Sequence, residues 1–238
     1  MTYVMSDIHG NKRNFESIIE QINLQPEDEL YVLGDVIDRY PDGIKILRWL
    51  MKCPNAHLLL GNHEYMMLKA IDTPYEEGKC RTCNNTRYSL YHWYQNGGDI
   101  THNYLKHIKK ETRRIIFDYL RTLPVNIRIQ VNNKSYKLVH ASPTENFSTY
   151  GRDYNNHYEF AVWHRWNECE YVPEDVTLIF GHTPTVHFQD DNVLKIWYGD
   201  SAIGIDCGSG YSEEHNYWSY KGRLACLRLD DMKEFYSK

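Results

Sequence analysis

Five short blocks, each carrying a metal-ligand residue directly after a strand-like apolar run, constrain this chain more than anything else in it. They are Asp7-Ile8-His9-Gly10, Gly34-Asp35-Val36-Ile37-Asp38-Arg39, Gly61-Asn62-His63-Glu64, His140-Ala141 and Gly181-His182-Thr183-Pro184. The preceding runs are Tyr3–Met5, Leu30–Leu33, His57–Leu60, Tyr136–Val139 and Val176–Phe180. Carboxylates, imidazoles and one amide therefore arrive together at strand ends, where an α/β sheet gathers its ligand site. Each block alone has an ordinary explanation. A lone Asp after a strand caps a helix, and a lone buried His is a hydrogen-bonded core residue. Five in one chain call for a shared chemical reason.

The 238 residues fit one domain, 1–238, with an ordinary apolar content of 42%. A net charge of −5 argues against a nucleic-acid partner, which calls for a basic face. No run approaches the roughly 18 apolar residues of a membrane span, so no membrane partner is expected. The first strand begins almost at once and leaves no room for a secretion signal, so a cytoplasmic location is expected. Six cysteines are then read as reduced thiols. Cys80 and Cys83 form a C-x-x-C, but a structural zinc needs two further ligands nearby, and free thiols on a loop are the favoured reading.

The first 70 residues alternate strand and helix. Phe15, Ile18, Ile19 and Ile22 share one helical face, and Ile44, Leu47 and Met51 share another. A third helix starts near Glu64. This β-α-β-α-β opening predicts a parallel sheet. Residues 72–124 break the alternation and read as a helical insert, with Ile116, Tyr119, Leu120 and Leu123 on one face. From Val125 onward strands are predicted at 125–131, 134–139, 176–181, 193–197, 201–206 and 222–229. A helix intervenes at about 156–166, and Asn132-Asn133 reads as a hairpin turn. The predicted class is α/β with a two-sheet core. Asp7 and His9, two apart, are read as alternating across a strand end and so sharing one side of the sheet edge.

In this order D-x-H, G-D-x-x-D-R, G-N-H-E, V-H-A and G-H-T resemble the calcineurin-like metallophosphoesterases, and among them the PPP-type serine/threonine protein phosphatases of bacteria and phages. Asn96-Gly97-Gly98-Asp99, Ile205-Asp206-Cys207-Gly208 and Gly222-Arg223-Leu224-Ala225-Cys226-Leu227 extend the resemblance from residue 3 to about 229. It implies an αββα metallophosphatase sandwich, two mixed central sheets flanked by helices. It also implies two divalent ions, Mn²⁺ foremost, with Fe or Zn²⁺ as alternatives. Asp7, His9 and Asp35 would hold the first ion. Asp35 would bridge to a second held by Asn62, His140 and His182. Two ions about 3.5–4 Å apart can hold a bridging hydroxide and clamp a phosphate.

By the same resemblance His63 would be the general acid, paired with Asp38, which is expected to hold the imidazolium up in pKa. Arg39, with its planar fork, and a second arginine would bind phosphate oxygens, and Asn62 would also face substrate. For the second arginine, Arg165 in Trp163-His164-Arg165 is preferred, read as lying on the helix after His140, and Arg152 competes.

The implied activity is hydrolysis of a phosphoester by direct attack of the bridging hydroxide, on a phosphorylated protein or a small phosphoester. Nucleases and phosphodiesterases of the wider superfamily end in G-H-x-H, whereas Pro184 stands here in place of the second histidine. A symmetrical dinucleoside tetraphosphate hydrolase shares the same ligands and is the alternative. A non-catalytic scaffold would have eroded ligands, and none is missing. The sequence leaves the oligomeric state open.

Overall fold

The computed structural model describes residues 1–71, 84–189, 193–211 and 222–238. Cys80 and Cys83, and the first part of the insert read at 72–124, lie outside the described residues. The strands are β1 (Thr2–Met5), β2 (Glu29–Val32), β3 (Ala56–Leu58), β4 (Asn126–Val131), β5 (Lys134–Val139), β6 (Val176–Phe180), β7 (Trp197–Tyr198), β8 (Ala202–Gly204), β9 (Ala225–Arg228) and β10 (Lys233–Tyr236). The helices are α1 (Lys12–Ile22), α2 (Gly43–Leu50), α3 (Asn62–Ile71), α4 (Asn84–Gln95), α5 (Asp99–Lys106), α6 (Lys110–Arg121), α7 (Phe147–Tyr150) and α8 (His157–Trp163).

Two five-stranded mixed sheets form, in the orders β10-β9-β1-β2-β3 and β4-β5-β6-β8-β7. In the first, β1, β2 and β3 run parallel, as the opening alternation predicts. In the second, β5, β6 and β8 run parallel. Asn132 and Asn133, at φ of 49° and 63°, make the left-handed turn that closes the β4–β5 hairpin.

Apolar residues from both sheets meet in one buried cluster, including Val4, Leu227, Leu138, Ile179 and Ile203. Helices cover the outer face of the first sheet, where Ile18, Leu47, Met67, Trp93, Leu105 and Leu120 join Met5 and Leu30. Phe180, Leu178, Trp166 and Trp197 pack on the outer face of the second. The architecture is the predicted αββα sandwich. The described part of the insert packs on the first sheet's core through Trp93, Leu105, Ile116 and Leu120.

Local differences from the sequence reading have identifiable causes. Of the run read as a strand at 193–197, only Trp197 enters a ladder. Leu194 and Ile196 are buried by packing rather than pairing. The edge strand β10 was not predicted; Met232, at φ of 60°, turns the chain back onto β9. Cys53, Cys169, Cys207 and Cys226 are free thiols. Among the described residues no helix is long and apolar enough to cross a membrane.

Candidate metal centre

The parallel strands β1, β2, β5 and β6 and the short β3 deliver their C-terminal ends to one place. Eight of the candidate residues line a single cavity of about 70 Å³ there: Asp7, His9, Asp35, Arg39, Asn62, His63, Arg165 and His182. The other two, Asp38 and His140, are fully buried directly behind it. Asp38 bonds His63, and His140 lies 2.9 Å from the Asn62 amide oxygen.

The backbone here is unusual. Asp7, His9, Asp35, Asp38, Arg39 and His182 all take left-handed φ values, between 51° and 72°. Asp7 and His9 thus do not alternate along a strand as read from sequence. β1 stops at Met5, and two left-handed turns aim both side chains inward. Such turns persist only where surroundings over-determine them. Glu64 supplies much of that determination. Its buried carboxylate accepts from the backbone N–H of Asp35 and Gly61 on one oxygen, and of Val36 and Ile37 on the other, at 2.9–3.3 Å. The loops run so close that a Cβ on Gly34 would sit 2.6 Å from the Gly61 Cα. Helix α3 begins at Asn62, two residues before the predicted start, because Asp35 Oδ1 caps the His63 N–H from another loop.

Asp35 faces two groups of donors. Its Oδ2 lies 3.7 Å from His9 Nε2 and 3.8 Å from His63 Nε2, while its Oδ1 lies 3.5 Å from His140 Nε2. Asp7 Oδ1 stands 3.8 Å from His9 Nε2. Among the described residues, two clusters have ligand atoms close enough to share an ion: His9, Asp35 and His63, and Asp35, His140 and His182. Asp35 belongs to both.

The hydrogen bonding behind the rings tests whether an ion fits. His140 Nδ1 meets the Leu33 carbonyl at 2.7 Å, and His182 Nε2 meets the Trp163 carbonyl at 3.2 Å. Each of those nitrogens therefore carries the proton. The opposite nitrogens, His140 Nε2 and His182 Nδ1, present lone pairs, and both lie 2.9 Å from Asn62 Oδ1, itself an acceptor. Three acceptors converging on one point, beside a carboxylate, call for a cation. Burial pushes His9, His140 and His182 below the ordinary histidine range, which keeps them neutral and ready to ligate. Burial pushes Asp7 the other way, to about 6, with nearby Asp35 adding to the rise. Cations would relieve that strain.

His63, though it belongs to the first of these clusters, is also engaged by Asp38 and Arg39. Its Nδ1 is 2.7 Å from Asp38 Oδ2, and its Nε2 is 3.4 Å from Arg39 Nη2. Asp38 is held in turn by the Trp93 indole N–H at 2.7 Å, and its backbone N–H donates to Thr101 Oγ1. The shift on the imidazole runs opposite to the rise expected from sequence. Burial, with Arg39 adding to the effect, brings His63 down to about 3, and burial lifts Asp38 to about 7. Both partners are driven toward their uncharged forms, so the pair holds its proton in the shared hydrogen bond.

Arg165 lines the cavity and donates to the His182 carbonyl and to Thr183, whereas Arg152 is exposed outside it. Arg165 is not on a helix as read. α8 ends at Trp163, and His164 swings out, its Nε2 2.7 Å from the buried Glu170 carboxylate. Sequence reasoning assigned no role to Glu64, Trp93, Thr101, Asp206 or Tyr211. Asp206 and Tyr211 line the same cavity. Asp206 left a signal in its place in the Ile205–Gly208 motif, and Glu64 in closing the Gly61–Glu64 block. Burial and the charge of Asp7 lift its carboxyl to about 7.

The sequence matches the family described as calcineurin-like phosphoesterase over residues 2–205. A symmetrical bis(5'-nucleosyl)-tetraphosphatase of Erwinia tasmaniensis is 38% identical over 69 residues, 28% of this chain and 25% of that protein. The match thus spans about a quarter of that relative's length. Serine/threonine-protein phosphatase 2 of Salmonella typhimurium is 26% identical over 188 residues, 76% of this chain and 78% of that protein. A solved structure named as a candidate diadenosine tetraphosphatase superposes with a TM-score of 0.63 at 21% identity, over 99% of this chain and 91% of its own. At that identity the likeness bears on the fold alone.

Proposed function

This chain belongs to the calcineurin-like phosphoesterase family, and from that premise we propose that it is a dimetal-dependent phosphomonoesterase, a serine/threonine protein phosphatase using Mn²⁺. Asp7, His9 and Asp35 would hold one ion, and Asp35, Asn62, His140 and His182 the other. Mixed oxygen and imidazole donors suit Mn²⁺, Fe or Zn²⁺ better than Ca²⁺ or Mg²⁺. Bound there, the ions acidify water to give a nucleophile at neutral pH and offset phosphate charge.

The chain's own residues do the rest. Arg39 and Arg165 reach the cavity with guanidinium groups suited to the phosphoryl oxygens, whose charge grows toward the transition state. His63 presents Nε2 to the cavity beside Arg39 and gives a proton to the departing oxygen. Asp38, fixed by Trp93 and backed by the Thr101 contact, orients the ring through Nδ1; as Nε2 releases its proton, the one shared with Asp38 passes to Nδ1 and leaves a neutral ring beside a carboxylate.

The His63–Asp38 pair beside Arg39 is the observation that carries this reading. An alkoxide leaving group needs such a proton donor. Pro184, where a second histidine would complete a phosphodiesterase-type site, favours the same branch. The long Salmonella typhimurium match supports it. A second reading, symmetrical dinucleoside tetraphosphate hydrolysis, is favoured by the higher identity over 69 residues with the Erwinia tasmaniensis protein.

A substrate panel with Mn²⁺, Fe²⁺, Zn²⁺ and Mg²⁺ tests both. It would contain phosphoserine, phosphothreonine and phosphotyrosine peptides and dinucleoside tetraphosphates. Turnover of phosphoserine or phosphothreonine peptides is expected. Cleavage of dinucleoside tetraphosphates without hydrolysis of any phosphopeptide would replace the first reading by the second.

A further inference from the structure

Charge is unevenly placed in this chain. Residues 106–121 carry six lysines and arginines against Glu111 and Asp118, a local excess of +4 in a protein whose total is −5. A charge run on a helix is ordinarily a solvated face. Here it lines a concavity of about 800 Å³ with apolar residues Ile71, Leu105 and Phe117 and with Lys110, Arg113, Arg114 and Arg121 against a single acid, Glu111. Arg114 pairs with Glu111 and Arg121 with Asp118, each three residues apart and exposed. Such pairs contribute little and yield to a competing carboxylate.

The groove is tied to the metal centre through α5. Asp99 lines a separate cleft of about 550 Å³ that opens beside Arg39. His102 and Leu105 line the basic groove. These three residues recur every third position, so they are neighbours on one side of the helix, about 9 Å from first to last. Thr101 of the same helix accepts the Asp38 N–H.

We propose that this groove docks an acidic, extended segment of the phosphoprotein substrate, with its carboxylates on the basic residues and an apolar side chain on the apolar ones, a few residues from the phosphorylated one. The inference rests on the protein-phosphatase reading for the identity of the ligand. Charge complementarity selects the occupant: an acidic segment gains from the basic residues, and the acidic remainder of the surface repels it elsewhere.

The test uses the full chain and a fluorescein-labelled, unphosphorylated peptide of alternating Glu and Asp with one central Leu. Fluorescence anisotropy should show binding that weakens with added salt. Lys110→Glu/Arg113→Glu should weaken it about tenfold or more, and Lys110→Gln/Arg113→Gln by less. A phosphoserine peptide carrying the same acidic segment should show a raised KM and an unchanged kcat in the charge-reversed protein. Hydrolysis of p-nitrophenyl phosphate and the circular dichroism spectrum should not move. Absence of peptide binding, equal binding by the charge-reversed protein, or tighter binding of single-stranded DNA would overturn the proposal. Peptide binding without phosphopeptide turnover would uphold the docking surface and sink the phosphatase reading. Turnover without peptide binding would do the reverse.

Discussion

Replacing Glu64 by Gln should show how firmly the metal turns are built in. Each carboxylate oxygen of Glu64 accepts two backbone N–H groups: Oε2 those of Asp35 and Gly61, Oε1 those of Val36 and Ile37. Glutamine keeps one acceptor oxygen and turns an NH₂ toward the other pair. Two buried donors then lose their partner, at about 1–3 kcal/mol each, a loss of about 2–6 kcal/mol. Against a domain's total of about 5–15 kcal/mol this is large. Burial and the charge of Asp35 push Glu64 up to about 8. A protonated Glu64, however, would set its O–H among four N–H donors with no acceptor, the same defect that glutamine brings. The substitution therefore separates the two states: costly if Glu64 is a carboxylate, nearly neutral if it is an acid. Urea unfolding of the chelator-treated protein at pH 7 measures the loss. A Mn²⁺ titration should show affinity reduced about 10- to 100-fold, as for other groups that orient ligands without being ligands. A loss under about 1 kcal/mol with unchanged Mn²⁺ affinity would refute the idea that an ionised Glu64 fixes the turns.

Two further outcomes follow from the same geometry. Asp35→Asn should lose both ions, since Asp35 belongs to both clusters, and elemental analysis finding two ions at full occupancy would sink its bridging role. His63→Asn should keep both ions and lose phosphoserine hydrolysis by about 10²–10⁴-fold while p-nitrophenyl phosphate hydrolysis falls far less, because the aryl oxide needs no proton. Equal losses would make His63 a charge stabiliser rather than an acid.

The candidate ligands were legible because their chemistry leaves little choice of side chain and their place at strand ends repeats. Asp7, Asp35, Asn62, His140 and His182 each follow an apolar run that became β1, β2, β3, β5 or β6. Helices α1, α2 and α6 were legible from periodicity, since one face must bury Ile18, Leu47 or Leu120. What stayed hidden depends on partners distant in sequence. Glu64 looks like an ordinary first-turn acid of a helix, and its acceptors' partners lie up to 29 residues away. Trp93 looks like one more aromatic on a helix, yet its indole N–H fixes Asp38 across 55 residues. α8 was read too long because nothing local at His164 stops it. The Glu170 carboxylate does so from a following loop.

The same dependence explains why the site can be strained. A non-glycine residue in the left-handed region costs about 1–2 kcal/mol, more than isolated turns could sustain at six positions. Each turn here is anchored by a hydrogen bond: Glu64 at Asp35, Asp7 Oδ2 accepting the His182 N–H, Thr101 accepting the Asp38 N–H, and the backbone carbonyls of Gly97, Gly34 and Asp35 accepting the N–H groups of Arg39, Asp7 and His9. These anchors come from the loops after β1 and β2, from α3 and α5, and from the loop between α4 and α5, so the left-handed turns depend on the helical insert as well as on the sheets. Ligand geometry is then set by the fold rather than assembled around the ions, and neutral imidazoles and crowded carboxylates wait in it. A site held this way keeps its arginines and His63 positioned between turnovers. That constancy is what catalysis by orientation and preorganised charge requires.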